Sequence, residues 1–181
     1  MLSDFRRKKL AGLFRFNDLD RDGRITAADF DRVVNNYAEV YGEAPGSPKH
    51  QDLVSRYREQ WTQLQAFDSD GDGVVEQDEY IAGMDAWLEH RESFEAAMDA
   101  IVGSFYRIVD RDGDGRIDQE ERTLNYRAHD LDEAAARAVF EKLDRNGDGV
   151  ISKDEMVTSI LEAYYAEDPE APGNWLALPD G

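Results

Sequence analysis

Apolar residues recur along this chain at three- and four-residue spacing, in runs separated by short polar breaks. That rhythm predicts amphipathic helices. The first runs from Ser3, its N-cap, to Asn17, with Phe5, Leu10, Leu13 and Phe14 on one side. A second carries Phe30, Val33, Val34 and Tyr37 and ends near Gly42, ahead of the breakers Pro45, Gly46 and Pro48. Ser47 then caps a third helix with Pro48 in its first turn, and its stripe is Leu53, Tyr57, Trp61, Leu64 and Phe67. Tyr80, Ile81, Met84, Trp87 and Leu88 line a fourth. A fifth starts near Ser93, with Phe94, Met98, Ile101, Val102, Phe105 and Val109. The stretch Arg122 to Arg127 is polar and predicts a loosely packed helix, because Arg122 stands where Phe30, Tyr80 and Met156 stand in the equivalent places. The last two helices carry Ala136, Val139, Phe140 and Leu143, then Met156, Ile160, Leu161 and Tyr164. From Ala166 onward a non-helical tail brings Trp175, Leu176 and Leu178.

The polar breaks are not ordinary loops. Four times an alternating acidic run ends in glycine: Asp18-Leu-Asp20-Arg-Asp22-Gly23, Asp68-Ser-Asp70-Gly-Asp72-Gly73, Asp110-Arg-Asp112-Gly-Asp114-Gly115 and Asp144-Arg-Asn146-Gly-Asp148-Gly149. Six residues beyond each glycine stands an acid: Asp29, Glu79, Glu121 or Glu155. Ca²⁺ takes six to eight oxygens, and a twelve-residue loop can supply them. Positions 1, 3 and 5 offer side-chain oxygens, and glycine at position 6 permits the sharp turn. Position 7 offers a backbone carbonyl (Arg24, Val74, Arg116, Val150), so its side chain is free to vary. Position 9 acts directly or through water (Thr26, Glu76, Asp118, Ser152), and position 12 closes the shell. Position 8 is always β-branched (Ile25, Val75, Ile117, Ile151), which predicts short extended pairing of loop one with two and three with four. Thr26 with Asp29, and Ser152 with Glu155, have capping-box spacing. Asp29 is one methylene shorter than Glu, so loop one is expected to tolerate Mg²⁺ more than the others. Loops two and three each hold five acids among positions 1, 3, 5, 9 and 12, against three in loop four.

Composition narrows the partners. Among 181 residues, 40 acids oppose 21 basic residues, for a net charge of −19. Such a surface repels nucleic acid and anionic membrane. Hydrophobic residues at 41% supply a core, so the acidity does not signal disorder. The absence of cysteine removes disulfides, thiol catalysis and thiolate metal sites. No signal-like segment and no membrane-length apolar run is present, which predicts a soluble, cytoplasmic, monomeric protein. Neither a nucleophile–base pair nor an open metal motif stands outside the loops, so no enzyme is expected. The cluster Arg6-Arg7-Lys8-Lys9 reads as the solvated side of the first helix.

The loops resemble those of the EF-hand family over nearly the whole chain. The long first interval and the ending Asp168 to Leu176 are similar to sarcoplasmic calcium-binding proteins and the bacterial calerythrin-like proteins. The resemblance implies an all-α globule of four hands in two pairs (1–90 and 91–165), short β pairing between loops, and a tail (166–181) in an apolar cleft. It implies up to four bound Ca²⁺ and a buffering role. Many members of that group have a degenerate hand, whereas all four here carry the expected ligands. Two other readings fit the architecture: a sensor that offers a Met-rich groove to a protein target, and a photoprotein or luciferin-binding protein that encloses a chromophore. For the latter the candidates are His50, His90 and His129 with Trp61, Trp87 and Trp175, otherwise read as surface or linker histidines and core tryptophans.

Overall fold

A computed structural model describes residues 2–177. Leu178, which the sequence places in the apolar tail, lies outside them. Among the described residues eight α-helices carry the fold: α1 (Asp4–Asn17), α2 (Ala27–Tyr41), α3 (Pro48–Leu64), α4 (Gln77–Leu88), α5 (Arg91–Val109), α6 (Gln119–Ala128), α7 (Glu133–Leu143) and α8 (Lys153–Tyr165). Four short strands sit between members of each helix pair: β1 (Arg24–Ile25), β2 (Val75–Glu76), β3 (Arg116–Asp118) and β4 (Val150–Ser152). Two 3₁₀ turns, Gln65–Phe67 and Pro172–Leu176, complete the order.

Local chemistry sets most boundaries. The Ser3 and Ser47 hydroxyls accept the amides of Arg6 and His50, each three residues on. Gly42 ends α2 in the left-handed region at φ 67°. The fifth helix begins at Arg91, two residues before the expected start. His90 is its N-cap without a side-chain hydrogen bond. Asp132 caps α7 and accepts the Ala134 amide at 2.6 Å.

The strands pair loop one with loop two and loop three with loop four, both antiparallel. Ile25 faces Val75 and Ile117 faces Ile151, and all four side chains are fully buried. At about 1.5–3 kcal/mol for each buried branched side chain, these contacts tie two acidic loops together despite their charge. Behind them the helices share one core. α1 packs on α4 and α8, α2 on α3 and α6, and α5 on α8. The three tryptophans are only partly buried and pack against that core.

The turn Pro172–Leu176 lies on α7 and α8. Lys9 is fully buried there, contrary to its reading as a solvated residue, while Arg7 and Lys8 are exposed. Its ammonium donates to the Glu162 carbonyl at 3.0 Å, the Ala166 carbonyl at 2.6 Å and Asn174 Oδ1 at 3.0 Å. One buried cation thus links the first helix to the end of the last helix and to the tail. Close approach is needed too: a Cβ on Gly12 would stand 1.8 Å from the Ala177 carbonyl oxygen.

Within the loops, position 4 is glycine three times, with φ between 71° and 78° at Gly71, Gly113 and Gly147. Loop one places Arg21 there, at φ 59°. A non-glycine residue pays a steric penalty in this region.

Lys9→Met removes the donor from three acceptors and should lower unfolding stability by about 2–4 kcal/mol in urea titration. Burial lowers the Lys9 ammonium to about 8 from 10.5. Between those values the unfolded chain binds the extra proton, so stability contributed by this site rises with pH. Stability measured from pH 8 to 10 should therefore climb in the parent relative to Lys9→Met. Arg21→Gly relieves the left-handed strain and should raise stability by about 0.5 kcal/mol, the glycine's own chain entropy offsetting part of the gain.

Candidate metal centre

Each loop is a cage of backbone amides aimed at carboxylates. Position 1 accepts the amide of position 6: Gly23 to Asp18 at 3.0 Å, Gly73 to Asp68 at 2.9 Å, Gly115 to Asp110 at 2.8 Å and Gly149 to Asp144 at 2.9 Å. Position 3 accepts from position 5, and position 5 from position 7. In loop three these are Asp114 to Asp112 at 3.1 Å and Arg116 to Asp114 at 2.8 Å. Loop four repeats them with Asn146 and Asp148, at 2.8 and 3.1 Å. The same bonds hold Asp20 and Asp22 in loop one and Asp70 and Asp72 in loop two. These Asx-type turns point the side-chain oxygens inward before any ion is considered.

Position 12 spans the loop. Glu79 accepts the Ser69 amide at 2.9 Å with one oxygen and the Glu76 amide at 3.0 Å with the other. Glu121 does so with Arg111 and Asp118 at 2.6 and 3.0 Å, and Glu155 with Arg145 and Ser152 at 3.1 and 2.9 Å. Asp29, though shorter, makes the same span, from Leu19 at 3.0 Å and Thr26 at 2.8 Å. The expected capping boxes at Thr26–Asp29 and Ser152–Glu155 form, and Glu76–Glu79 and Asp118–Glu121 add two more.

The oxygens converge. One carboxylate oxygen from each of Asp18, Asp20 and Asp22 lies within 4.8 Å of the others, and the same holds for Asp68, Asp70 and Asp72 and for Asp110, Asp112 and Glu121. Loop four has Asn146 in place of a third aspartate, and its amide donates to Asp148 Oδ2 at 3.2 Å. Thr26, Glu76, Asp118 and Ser152 stand at the N-caps of the outgoing helices. Arg24, Arg116 and Val150 begin β1, β3 and β4, and Val74 directly precedes β2; at each a backbone carbonyl is the group on offer.

The carboxylates differ electrostatically. Burial pushes Asp18 up, aided by neighbouring Asp29 and Asp22. Glu121 is also raised, by burial first and then by Asp118 and Asp110. Glu79 is held below its ordinary value by the Glu76 amide and by Ser69. In Glu155 burial pushes up, but hydrogen bonds from Ser152, Arg145 and Asn146 outweigh it. A cation would favour the ionised form at every one of these groups.

The exit of loop three departs from expectation. Arg122 is 4% exposed, and α6 is not loosely packed. Its guanidinium donates to Asn125 Oδ1 at 3.1 Å and to the Tyr126 hydroxyl at 3.3 Å, and it lies over the Tyr126 ring. Asn125 in turn donates to the Tyr37 hydroxyl of α2. A polar network therefore replaces the apolar contact made by Phe30, Tyr80 and Met156 at the equivalent positions. The histidines do not gather. His90 is exposed and His50 partly so, whereas His129 is buried, stacked on Phe16, with Nε2 3.3 Å from the Tyr57 hydroxyl. The reading of His129 as a surface residue is thus corrected. Nothing local marked it, since its partners come from α1 and α3.

Comparison with known proteins agrees with this geometry. The model of an EF-hand domain pair matches residues 102–161, and that of a single EF hand matches 10–34 and 62–84. Together they cover more than half of the chain. Calerythrin from Saccharopolyspora erythraea is 24% identical, over 82% of this chain and 85% of its own length. Sarcoplasmic calcium-binding proteins I, III and IV of Branchiostoma lanceolatum are 26% identical, over 66% of this chain and 68% of theirs. A Streptomyces coelicolor calcium-binding protein, described as a basis for prokaryotic calcium-mediated regulation, superposes with a TM-score of 0.75 at 23% identity, covering 88% of this chain and 97% of that one. That likeness carries the fold. With acidic loops, paired strands and flanking helices all in place, the chain belongs to the EF-hand family, resembling calerythrin and the sarcoplasmic calcium-binding proteins.

Proposed function

We propose that the four loops each bind Ca²⁺ and that the chain buffers calcium rather than relaying it. The proposed ligands are the residues at positions 1, 3, 5, 7, 9 and 12: Asp18, Asp20, Asp22, Arg24, Thr26 and Asp29; Asp68, Asp70, Asp72, Val74, Glu76 and Glu79; Asp110, Asp112, Asp114, Arg116, Asp118 and Glu121; Asp144, Asn146, Asp148, Val150, Ser152 and Glu155. Arginine and valine would contribute their backbone carbonyls. Four dications add eight charges and would take the net charge from −19 to −11, which relieves repulsion among the loop acids.

One observation carries the buffer reading. The α7 and α8 surfaces are already covered from within. The Pro172–Leu176 turn sits on α7 and α8, tied by Lys9. Met84, Met98 and Met156 are all buried, so the adaptable side chains of a sensor groove are not at the surface. Buffer hands open little on binding, whereas sensor hands expose an apolar groove. Among the described residues no helix is long and apolar enough to cross a membrane.

Calorimetric Ca²⁺ titration of the metal-stripped chain should show four sites, while a hydrophobic dye should gain less than about twofold fluorescence. A several-fold, calcium-dependent gain would replace the buffer reading with a sensor. Asp29→Glu lengthens the closing ligand, and it should raise Ca²⁺ over Mg²⁺ discrimination at loop one by about tenfold in competitive titration. Unchanged discrimination would show that Asp29 does not set the metal preference.

A further inference from the structure

Behind the loops, where α1, α3, α4, α5, α6 and α8 meet, lies a cavity of about 220 Å³. Most of its wall is apolar, with Met98, Ile101 and Phe105 among the lining residues. Arg56 of α3, Arg122 of α6 and His129 all line the space. Both guanidiniums lie near enough to His129 to act on it: burial first, then Arg122 and Arg56, hold its imidazole down to about 3. The ring is therefore neutral and supplies no third positive charge.

The charge balance here is the reverse of the rest of the molecule. In a chain of 40 acids and 21 basic residues, no carboxylate belongs to the described residues lining this cavity. Neither arginine takes part in an ion pair among the described residues. Both are held in place by other bonds: Arg56 donates to the Ile101 carbonyl at 3.1 Å, and Arg122 to Asn125 and Tyr126. Each nonetheless keeps a buried Nε–H with no partner. A buried cation without a counter-charge is costly, and a planar guanidinium suits a carboxylate best of all. A cationic ligand would be repelled, and a neutral acceptor could meet one donor but would supply no counter-charge. The apolar wall favours a single anionic group on a hydrocarbon body. The negative surface does not forbid this, because its field is screened beyond about 8 Å at physiological ionic strength, whereas contact inside the cavity is not. Size permits it as well, since an apolar cavity of about 150 Å³ already accepts benzene.

We propose that this cavity is a binding site for a small apolar carboxylate, with its anionic group on Arg56 and Arg122 and its hydrocarbon body beside Met98, Ile101 and Phe105. The ligand class is a medium-chain acyl or arylalkyl acid. The site is separate from the loops, so calcium uptake and acid binding can be measured independently.

The probes are decanoate and decan-1-ol, which share a chain and differ in charge. Calorimetry with the calcium-loaded full chain should give one saturable decanoate site, at least tenfold tighter than that for decan-1-ol. Arg56→Gln should weaken decanoate tenfold or more and leave decan-1-ol within twofold. Arg122→Gln should do the same, with calcium stoichiometry as the check that it folds. Because Arg56 lies on α3, away from the loops, its variant keeps the test alive if Arg122→Gln does not fold. Met98→Trp fills the cavity and should abolish binding of both probes. Absence of saturable decanoate binding, equal affinity for acid and alcohol, an unaffected Arg56→Gln or an unaffected Met98→Trp would each overturn the proposal.

Discussion

A carboxylate that reaches back across ten residues holds each loop shut. The position-12 side chain accepts the amide of position 2 with one oxygen and that of position 9 with the other. That bond pair joins the loop's beginning to the first turn of the outgoing helix. It also places the carboxylate in the field of the helix N-terminus, which favours negative charge. Without such a clamp, the four or six acids within each twelve-residue loop would push it open. With it, the amides supply part of the positive potential that a dication completes.

Pairing then couples the clamps. Because Ile25 faces Val75 and Ile117 faces Ile151, two loops share one small apolar contact, and a shift in either strand moves both. The outgoing helices carry the effect inward. Asp29 leads into α2 and Glu121 into α6, and these two helices meet through Asn125 and Tyr37 and through Asn36, which donates to the Ala128 carbonyl at 3.0 Å. Hands one and three are thereby connected by polar side chains rather than by interchangeable apolar ones. Polar contacts of this kind specify a partner and a register more strictly than hydrophobic burial does.

The cavity and the buried polar cluster belong to the same region. Arg122 closes one side of it because α6 uses a hydrogen-bonded arginine where the other exit helices use an apolar residue. Lys9 plays a related part at the opposite end, where a charged group satisfied by three acceptors fastens the tail. Both are long side chains whose stems add to the core while their polar heads choose the neighbours.

Helix limits at Ser3, Gly42 and Ser47, the place of the four acidic loops and the pairing of position 8 were all legible in the sequence. Each depends on residues within a dozen positions of one another, where spacing alone places side chains on a common face or cap. The burial of Lys9, Arg122 and His129 was not legible. The partners of Lys9 and His129 lie elsewhere in the chain, Asn174 165 residues from Lys9 and Tyr57 72 from His129; Arg122 bonds its neighbours Asn125 and Tyr126, but Asn125 is anchored on Tyr37, 88 residues away. A polar residue reads as exposed unless its hydrogen-bonding partners are known, and only the packing of distant helices brought those partners within reach. Local order therefore follows from short-range patterning, while the cavity, the polar seam and the seated tail were decided by tertiary contact.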